Sequence, residues 1–200
     1  MIHNSELKDV FFSRNMPKHK SSGTFTDIYV LPQQNGMKRV EQKIVAKNFL
    51  QEILLRYSQP SNSLHTSKSY AADCIAISIS DGDVGIDIAQ LNMDLDFQDI
   101  AEACFSVKEI RALDSANAVM FFRNWTRKEA ILKAAGVGII EDMQHIPAMD
   151  GSHDALLPAV FQEKYDYHVY TVRIADHLLS VCSHYTSQFL NFYKLSASEP

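Results

Sequence analysis

One acidic residue lies where a charge needs a reason. Placed on a helix at 100° per residue, Ala118, Phe121, Phe122, Trp125 and Leu132 form one apolar stripe, with Glu129 at its centre and Lys128 and Lys133 on its flanks. An unpaired carboxylate in such a seam is very costly. Two arrangements remove the cost. Glu129 can form a buried ion pair with Lys133 one turn later, or with Lys128. Alternatively it binds a cation while the lysines hold an anionic ligand. The helix by itself leaves both open.

A second embedded carboxylate favours the cation. Asp87 sits within Val84-Gly85-Ile86-Asp87-Ile88, a short and otherwise apolar strand, past the Asp81-Gly82-Asp83 turn signal. Its side chain shares a face with position 89, while Ile86 and Ile88 point to the other. One acid on a strand and one on a helix suit Mg²⁺, which takes oxygen ligands and commonly uses one or two carboxylates with phosphates and water. Other chemistries lack their residues. The eight histidines show no HxxxH or HExxH spacing, which removes the usual zinc signature. GxxxxGK[ST], GxGxxG and GxSxG are also absent.

The elements that must position these residues read as follows. Ser115 to Ala135 is a long helix stopped by Gly136, and Met37 to Tyr57 is another, with Val40, Ile44, Phe49, Ile53, Leu54 and Tyr57 marking an apolar side. Arg39, Lys43 and Lys47 recur at i, i+4 and i+8 along it, as a solvated basic edge or a phosphate-contacting one. Asp27 to Leu31, Cys74 to Ser80 and Val84 to Ile88 read as strands, the last two as a hairpin. Phe97 to Leu113 holds one or two short helices. Tyr167 to Ile174 and Leu178 to Ser183 read as an antiparallel pair, with a further strand within Ser187 to Lys194. Residues 1–24 read as a loosely held arm pinned by Phe11 and Phe12. The helix and strand pattern predicts an α+β fold.

Composition narrows the class. The 200 residues are 46% hydrophobic and 22% charged with a net charge of −5, an ordinary globular balance. A mildly acidic chain speaks against nucleic-acid binding, so any anion must be held by a local cluster of Lys and Arg. Cys74, Cys104 and Cys182 are scattered among apolar neighbours without a CxxC, which reads as three buried thiols in a reducing compartment. Met1 to Arg14 lacks the apolar region of a signal peptide, and no apolar run is long enough to span a bilayer. The expectation is a cytoplasmic protein without membrane partners.

Three blocks then meet a family. Val84-Gly85-Ile86-Asp87-Ile88, Phe105-Ser106-Val107-Lys108-Glu109 and Trp125-Thr126-Arg127-Lys128-Glu129-Ala130-Ile131-Leu132-Lys133-Ala134-Ala135-Gly136 resemble, in order and spacing, the GID, F-S-x-x-E and W-x-x-K-E-A-x-x-K-x-x-G blocks of the 4′-phosphopantetheinyl transferase superfamily. Ile174 to Cys182 resembles its C-terminal hairpin. Asn62-Ser63-Leu64-His65-Thr66 is similar to the N-x-S-H-S/T segment that helps hold coenzyme A in the larger, surfactin-synthetase-activating (Sfp-like) type. Length and the near-central GID strand also resemble that type.

The resemblance implies two similar halves, 1–81 and 82–200, each a long helix on a small antiparallel sheet, joined in one compact unit with the site between them. It implies Mg-dependent transfer of 4′-phosphopantetheine from coenzyme A to a serine of an apo acyl- or peptidyl-carrier protein, releasing 3′,5′-ADP. Asp87 and Glu129 are then the metal ligands, and Glu129 and Lys133 the catalytic groups. His65, Thr66, Lys133, Arg39 and Lys43 contact coenzyme A, and Lys128 contacts its phosphate or pairs with a carboxylate. Glu109 orients Lys133 or a water, or is simply an exposed helix acid, and Trp125 packs in the core. Phe97 to Leu113 is the place for carrier docking. Where the family often has an acid two residues after the GID aspartate, this chain has Ala89. The alternative is therefore a degenerate homologue that binds coenzyme A or a carrier without transfer.

Overall fold

The computed structural model describes residues 2–6, 12–13, 25–34, 36–57, 63–113, 118–138, 143–153, 166–184 and 190–195. In chain order the elements are β1 (Ile2–Glu6), β2 (Phe12–Ser13), β3 (Thr26–Pro32), α1 (Arg39–Leu54), β4 (His65–Tyr70), β5 (Cys74–Ser80), β6 (Val84–Gln90), α2 (Gln98–Cys104), α3 (Val107–Ala112), α4 (Ala118–Ala134), β7 (Gly151–His153), β8 (Tyr167–Ile174), β9 (His177–Ser183) and β10 (Leu190–Lys194). A short 3-10 turn, Met143–His145, follows α4. The fold is mixed α+β, with two five-stranded sheets ordered β6-β9-β8-β1-β7 and β2-β10-β3-β5-β4.

Strand alternation builds the layers. On β5, Ile75, Ile77 and Ile79 face α1, where they meet Tyr29, Ala46 and Ile53. The opposite face, Cys74 and Ala76, joins Ile28, Ile86, Val172 and Val181 in a core shared by both sheets. Beyond the first sheet, Val169 and Cys182 pack against Ala130, Ile131 and Ala134 of α4. Both sheets are thus covered on both faces. Among the described residues, no helix is long and apolar enough to cross a membrane.

Three expectations are corrected. First, β5 and β6 are not a hairpin: β3 and β4 occupy both edges of β5, and β6 pairs with β9, so Asp81 to Asp83 carries the chain from one sheet to the other. Second, the sheets are mixed rather than antiparallel, because the ends of the chain are exchanged. Strand β1, within the supposed arm, runs parallel to β8 in the sheet of the 82–200 half, and β10 runs parallel to β3 in the other sheet. Residue 82 is therefore not a clean boundary; Phe11 lies outside the described residues. Third, α1 with the turn after it keeps Phe49, Ile53, Leu54 and Tyr57 on its packed side but not the first two expected residues. Val40 and Ile44 are 69% and 55% exposed, and Gln42 and Ala46 are buried instead in the first half of the helix. The small Ala46 lets the helix approach the sheet, and the Gln42 amide is satisfied by donating to Ala71 O at 2.7 Å.

Strands β4 and β6 are edges of different sheets, and they meet. The amides of Ile86 and Ile88, which point away from β9, donate to Ser67 Oγ (3.1 Å) and Ser69 Oγ (3.2 Å). Serine hydroxyls replace the missing strand partner, so this buried edge keeps its hydrogen bonds. On the face toward α4, Gly85 lets the helix lie directly on β6. A Cβ there would sit 1.9 Å from Ala130 O and 2.5 Å from Ala134 N, both backbone atoms that cannot swing aside. Gly85→Ala is expected to cost about 3 kcal/mol of folding stability through overpacking, read by urea denaturation; wild-type stability would show that α4 can step back from β6.

Candidate active site at the strand–helix contact

The contact at Gly85 brings Asp87 of β6 beside the last two turns of α4. Asp87 is 7% exposed, and its Oδ1 accepts from Lys133 Nζ (2.7 Å) and Ser69 Oγ (2.7 Å). Lys133 also donates to Ile86 O at 3.0 Å. An ammonium has three hydrogens, so one remains for a ligand on the partly exposed side of Lys133. Ser69 passes the contact onward, since its oxygen also accepts from the Ile88 amide. One buried carboxylate is thus fixed by a strand of each sheet and by the helix.

Glu129 lies one turn before Lys133. It is half-buried rather than centred in the core. The reason is that α4 has two covered sides: Ala130, Ile131 and Ala134 against the first sheet, and Ala118, Phe121 and Phe122 against α2 and its surroundings. Glu129 falls at the margin. Even so, its Oε1 is buried and has no hydrogen-bond partner among the described residues. Burial raises its carboxyl above the usual range; the Asp87 charge adds to this and Lys133 opposes it. Burial likewise raises Asp87, against the pull of Lys133 and Ser69.

Two desolvated carboxylates and an orphaned oxygen fit a hard divalent cation. Asp87 and Glu129 are the residues that could hold it. Ala89, on the Asp87 face of β6, offers no oxygen, and its methyl packs against the cluster containing Phe105, Phe121 and Leu178. Waters and substrate oxygens must complete any coordination shell.

Lys128 and Glu109 are corrections. Lys128 is fully buried and turned away from Asp87: its Nζ donates to Met143 O (3.0 Å), Ile146 O (2.6 Å) and Glu109 Oε2 (2.9 Å). With three acceptors for three hydrogens, it has nothing left for coenzyme A. Burial pulls its ammonium below the ordinary range and the Glu109 charge pulls it back. Glu109 is buried, and no described contact joins it to Lys133. Its Oε2 accepts from Ser106 N (2.8 Å) and its Oε1 from Ala148 N (2.9 Å), while Ser106 Oγ accepts from Glu109 N (3.3 Å). The Ser106-x-x-Glu109 spacing is a capping box for α3, a signal present in the sequence. Trp125 packs in the core, stacked on Phe121.

The remaining residues divide. His65 opens β4, and its Nδ1 lies 3.2 Å from Asp83 Oδ1, with half of its side chain exposed. Thr66 beside it is exposed, and Asn62 lies outside the described residues. Arg39 stacks on the Tyr70 ring, 4.1 Å from its centroid, and donates to Tyr70 O at 3.0 Å, next to Ser69. Lys43 and Lys47 are exposed on α1, and no described contact joins them to the Asp87–Lys133 cluster. Sequence reasoning missed Ser67 and Ser69, although their spacing of two places both hydroxyls on one strand face. It also missed the fully buried Arg127, which donates to Thr171 Oγ1 (2.7 Å), Ala148 O (2.8 Å) and Ser5 O (3.0 Å) and so ties β1 to α4. No local signal marks it.

Two outcomes follow from this geometry. Lys128→Met leaves Glu109 buried without its cation and should cost about 3–5 kcal/mol of stability in urea denaturation; an unchanged midpoint would return Lys128 to the list of ligand contacts. The second concerns pH. Raised folded-state values mean that Asp87 and Glu129 favour the metal-free fold at low pH, and that this contribution is lost as pH rises through those values. A cation competes with the same protons, so the increase in Tm on adding Mg²⁺ should grow as pH rises above the ordinary carboxylate range. It should vanish in Glu129→Gln. A pH-independent increase, or one retained by that variant, would place Mg²⁺ elsewhere.

Comparison with known proteins converges on this region. The family model described as "4'-phosphopantetheinyl transferase superfamily" matches residues 83–182, a span from the start of β6 to the end of β9. The curated 4'-phosphopantetheinyl transferase AcpT of Escherichia coli O157:H7 is 38% identical over 82 residues, covering 38% of this chain and 42% of that protein. The 4'-phosphopantetheinyl transferase psf-1 of Bacillus pumilus is 35% identical over 104 residues, covering 48% of this chain and 43% of that protein. The match therefore spans less than half the length of these relatives.

Proposed function

Because the chain belongs to the 4′-phosphopantetheinyl transferase superfamily, we propose that it transfers 4′-phosphopantetheine from coenzyme A to a serine hydroxyl of an acyl- or peptidyl-carrier protein, in the manner of the larger, surfactin-synthetase-activating type. The observation that carries this reading is the orphaned, buried Glu129 Oε1 beside the Asp87–Lys133 pair. A buried carboxylate oxygen without a partner among the described residues is expensive in a purely structural role.

In this reading Asp87 and Glu129 hold Mg²⁺, which when bound supplies charge neutralisation to the diphosphate. The serine oxygen attacks the β-phosphorus, and the bond to the 3′,5′-ADP oxygen breaks. Phosphoryl transfer depends chiefly on position and charge. The remaining Lys133 hydrogen faces a phosphate oxygen and offsets charge on the leaving group. Glu129 is the chain's own candidate to take the serine proton. His65, Thr66 and Arg39, with Lys43 further along α1, are the proposed contacts for the rest of coenzyme A. Carrier docking is assigned to the α2–α3 region, where Ile100 and Val107 are exposed apolar side chains. Fatty-acid, polyketide and peptide carriers all present such a serine.

Ala89 favours a second reading, a homologue that binds coenzyme A or a carrier without transfer. Incubation with coenzyme A, Mg²⁺ and an apo carrier protein separates the two. Transfer should add the mass of phosphopantetheine to the carrier, and Asp87→Ala and Glu129→Gln should each lower the rate at least about a thousandfold while remaining folded. Undiminished transfer in either variant, or in excess EDTA, would remove the metal-site assignment. Binding of coenzyme A without any mass increase would establish the second reading.

A further inference from the structure

A second side-chain cluster lies away from Asp87, where the β4–β5 connection meets the β8–β9 turn. Asp73 and Cys74 come from the first and His177 from the second, so the two sheets contribute jointly. One ligand atom from each, a carboxylate oxygen, a thiol sulfur and a ring nitrogen, lie within 4.8 Å of one another. Cys74 and His177 are buried, and Asp73 is partly exposed.

Two polar atoms in this cluster, Asp73 Oδ1 and His177 Nε2, lack a hydrogen-bond partner among the described residues. His177 Nδ1 lies 2.8 Å from Asp176 Oδ1, which fixes the ring and points Nε2 at Asp73. Nε2 and Asp73 Oδ1 are 2.8 Å apart. The carboxylate nevertheless lies off the direction of an Nε2–H, and among the described residues neither atom has a hydrogen-bond partner. A buried ring nitrogen and a carboxylate oxygen this close, without an aligned hydrogen bond between them, are donors that one cation would serve in common. The frame is rigid around them: Gln33 N donates to Asp73 O (2.6 Å), Leu91 N to Asp176 O (2.7 Å), and Gln90 Nε2 to Asp176 Oδ2 (2.8 Å).

We propose that Asp73, Cys74 and His177 form a binding site for a borderline-soft divalent transition metal, of the zinc class, that staples the two sheets together. The donor set of one thiolate, one imidazole and one carboxylate suits Zn²⁺, with water in the fourth position. Asp176 is the positioning residue: a carboxylate on the far ring nitrogen orients the imidazole and raises its basicity. Without metal, burial and then the Asp73 and Asp176 charges push the Cys74 thiol up to about 12. Metal binding must therefore displace the Cys74 proton, and apparent affinity rises with pH. The site is independent of Asp87 and Glu129.

The test uses chelator-stripped full-length protein titrated with Co²⁺. One equivalent should produce a thiolate-to-cobalt charge-transfer band, displaced by Zn²⁺. The band should be absent in Cys74→Ser and retained in Cys104→Ser, while His177→Gln and Asp73→Asn weaken binding at least about tenfold. Asp176→Asn should keep the band but weaken binding about ten- to a hundredfold, the signature of a positioning group. No band at saturating Co²⁺, or a band lost in Cys104→Ser instead, overturns the proposal. Should Cys74→Ser fail to fold, X-ray absorption on the zinc-loaded native protein decides. One sulfur at about 2.3 Å with nitrogen and oxygen at about 2.0 Å supports the site, and a shell of nitrogen and oxygen alone overturns it. Glu129→Gln should leave the thiolate-to-cobalt band unchanged, so this outcome and that of the transferase reading stay separable.

Discussion

The approach of α4 to β6 at Gly85 governs the geometry of everything near the site. A helix normally stands off a sheet by the depth of its side chains. Here the backbone of Ala130 and Ala134 occupies the space where a Cβ would be. That closeness lets Lys133 reach both a strand carbonyl and the side chain of the next residue, with distances of 3.0 and 2.7 Å. A helix one side-chain layer further out would leave the Lys133 ammonium short of Ile86 O, and Asp87 would be a buried charge without a cation. Gly85 and Asp87 thus work as one unit: the first removes bulk so that the second can be held.

The same strand carries the joint between the sheets. Edge strands expose unpaired amides, and a buried edge must satisfy them. Ser67 and Ser69 do so from β4, and Ser69 also donates to Asp87. The hydroxyl that holds the joint therefore holds the acid as well. The exchange of β1 and β10 between sheets strengthens the coupling, because neither sheet is made from one contiguous stretch of chain. Arg127 reinforces it by reaching the β1 backbone from α4. Displacement of one sheet against the other would disturb Asp87 directly.

How much of this was readable depended on whether the cause was local. The paired spacing of Glu129 and Lys133 and the strand around Asp87 are local patterns, and the structure brings Asp87 and Lys133 into contact. The α4 periodicity located the helix but misjudged Glu129, because one stripe was visible and the second covered side includes polar residues such as Thr126 and Arg127. Lys128 looked like a flanking cation, yet it pairs with Glu109, nineteen positions earlier, through a capping box whose second use is invisible to helical spacing. The β5–β6 hairpin failed for the same reason. A turn signal says that the chain reverses, not which strand becomes the neighbour, and β3 and β4 had the claim on β5. Strand exchange between chain termini leaves no local trace at all.

The charge pattern makes a final point about Ala89. Asp87 and Glu129 against Lys133 leave about one net negative charge when both acids are ionised, in a site read as receiving an anionic diphosphate. At an effective dielectric of about 20, like charges 4 Å apart repel by about 4 kcal/mol. A third acid at position 89 would double the net negative charge and deepen the repulsion whenever no cation is bound. It would also raise Asp87 and Glu129 further, since each already lies above the ordinary carboxylate range through burial. An alanine packed into the apolar cluster of Phe105 and Phe121 avoids both effects at the cost of one ligand oxygen. In the proposed transferase reading, the loss of one ligand oxygen is offset by lower repulsion of the anion. A missing acid at this position changes the balance of the site without, on electrostatic grounds, disabling it.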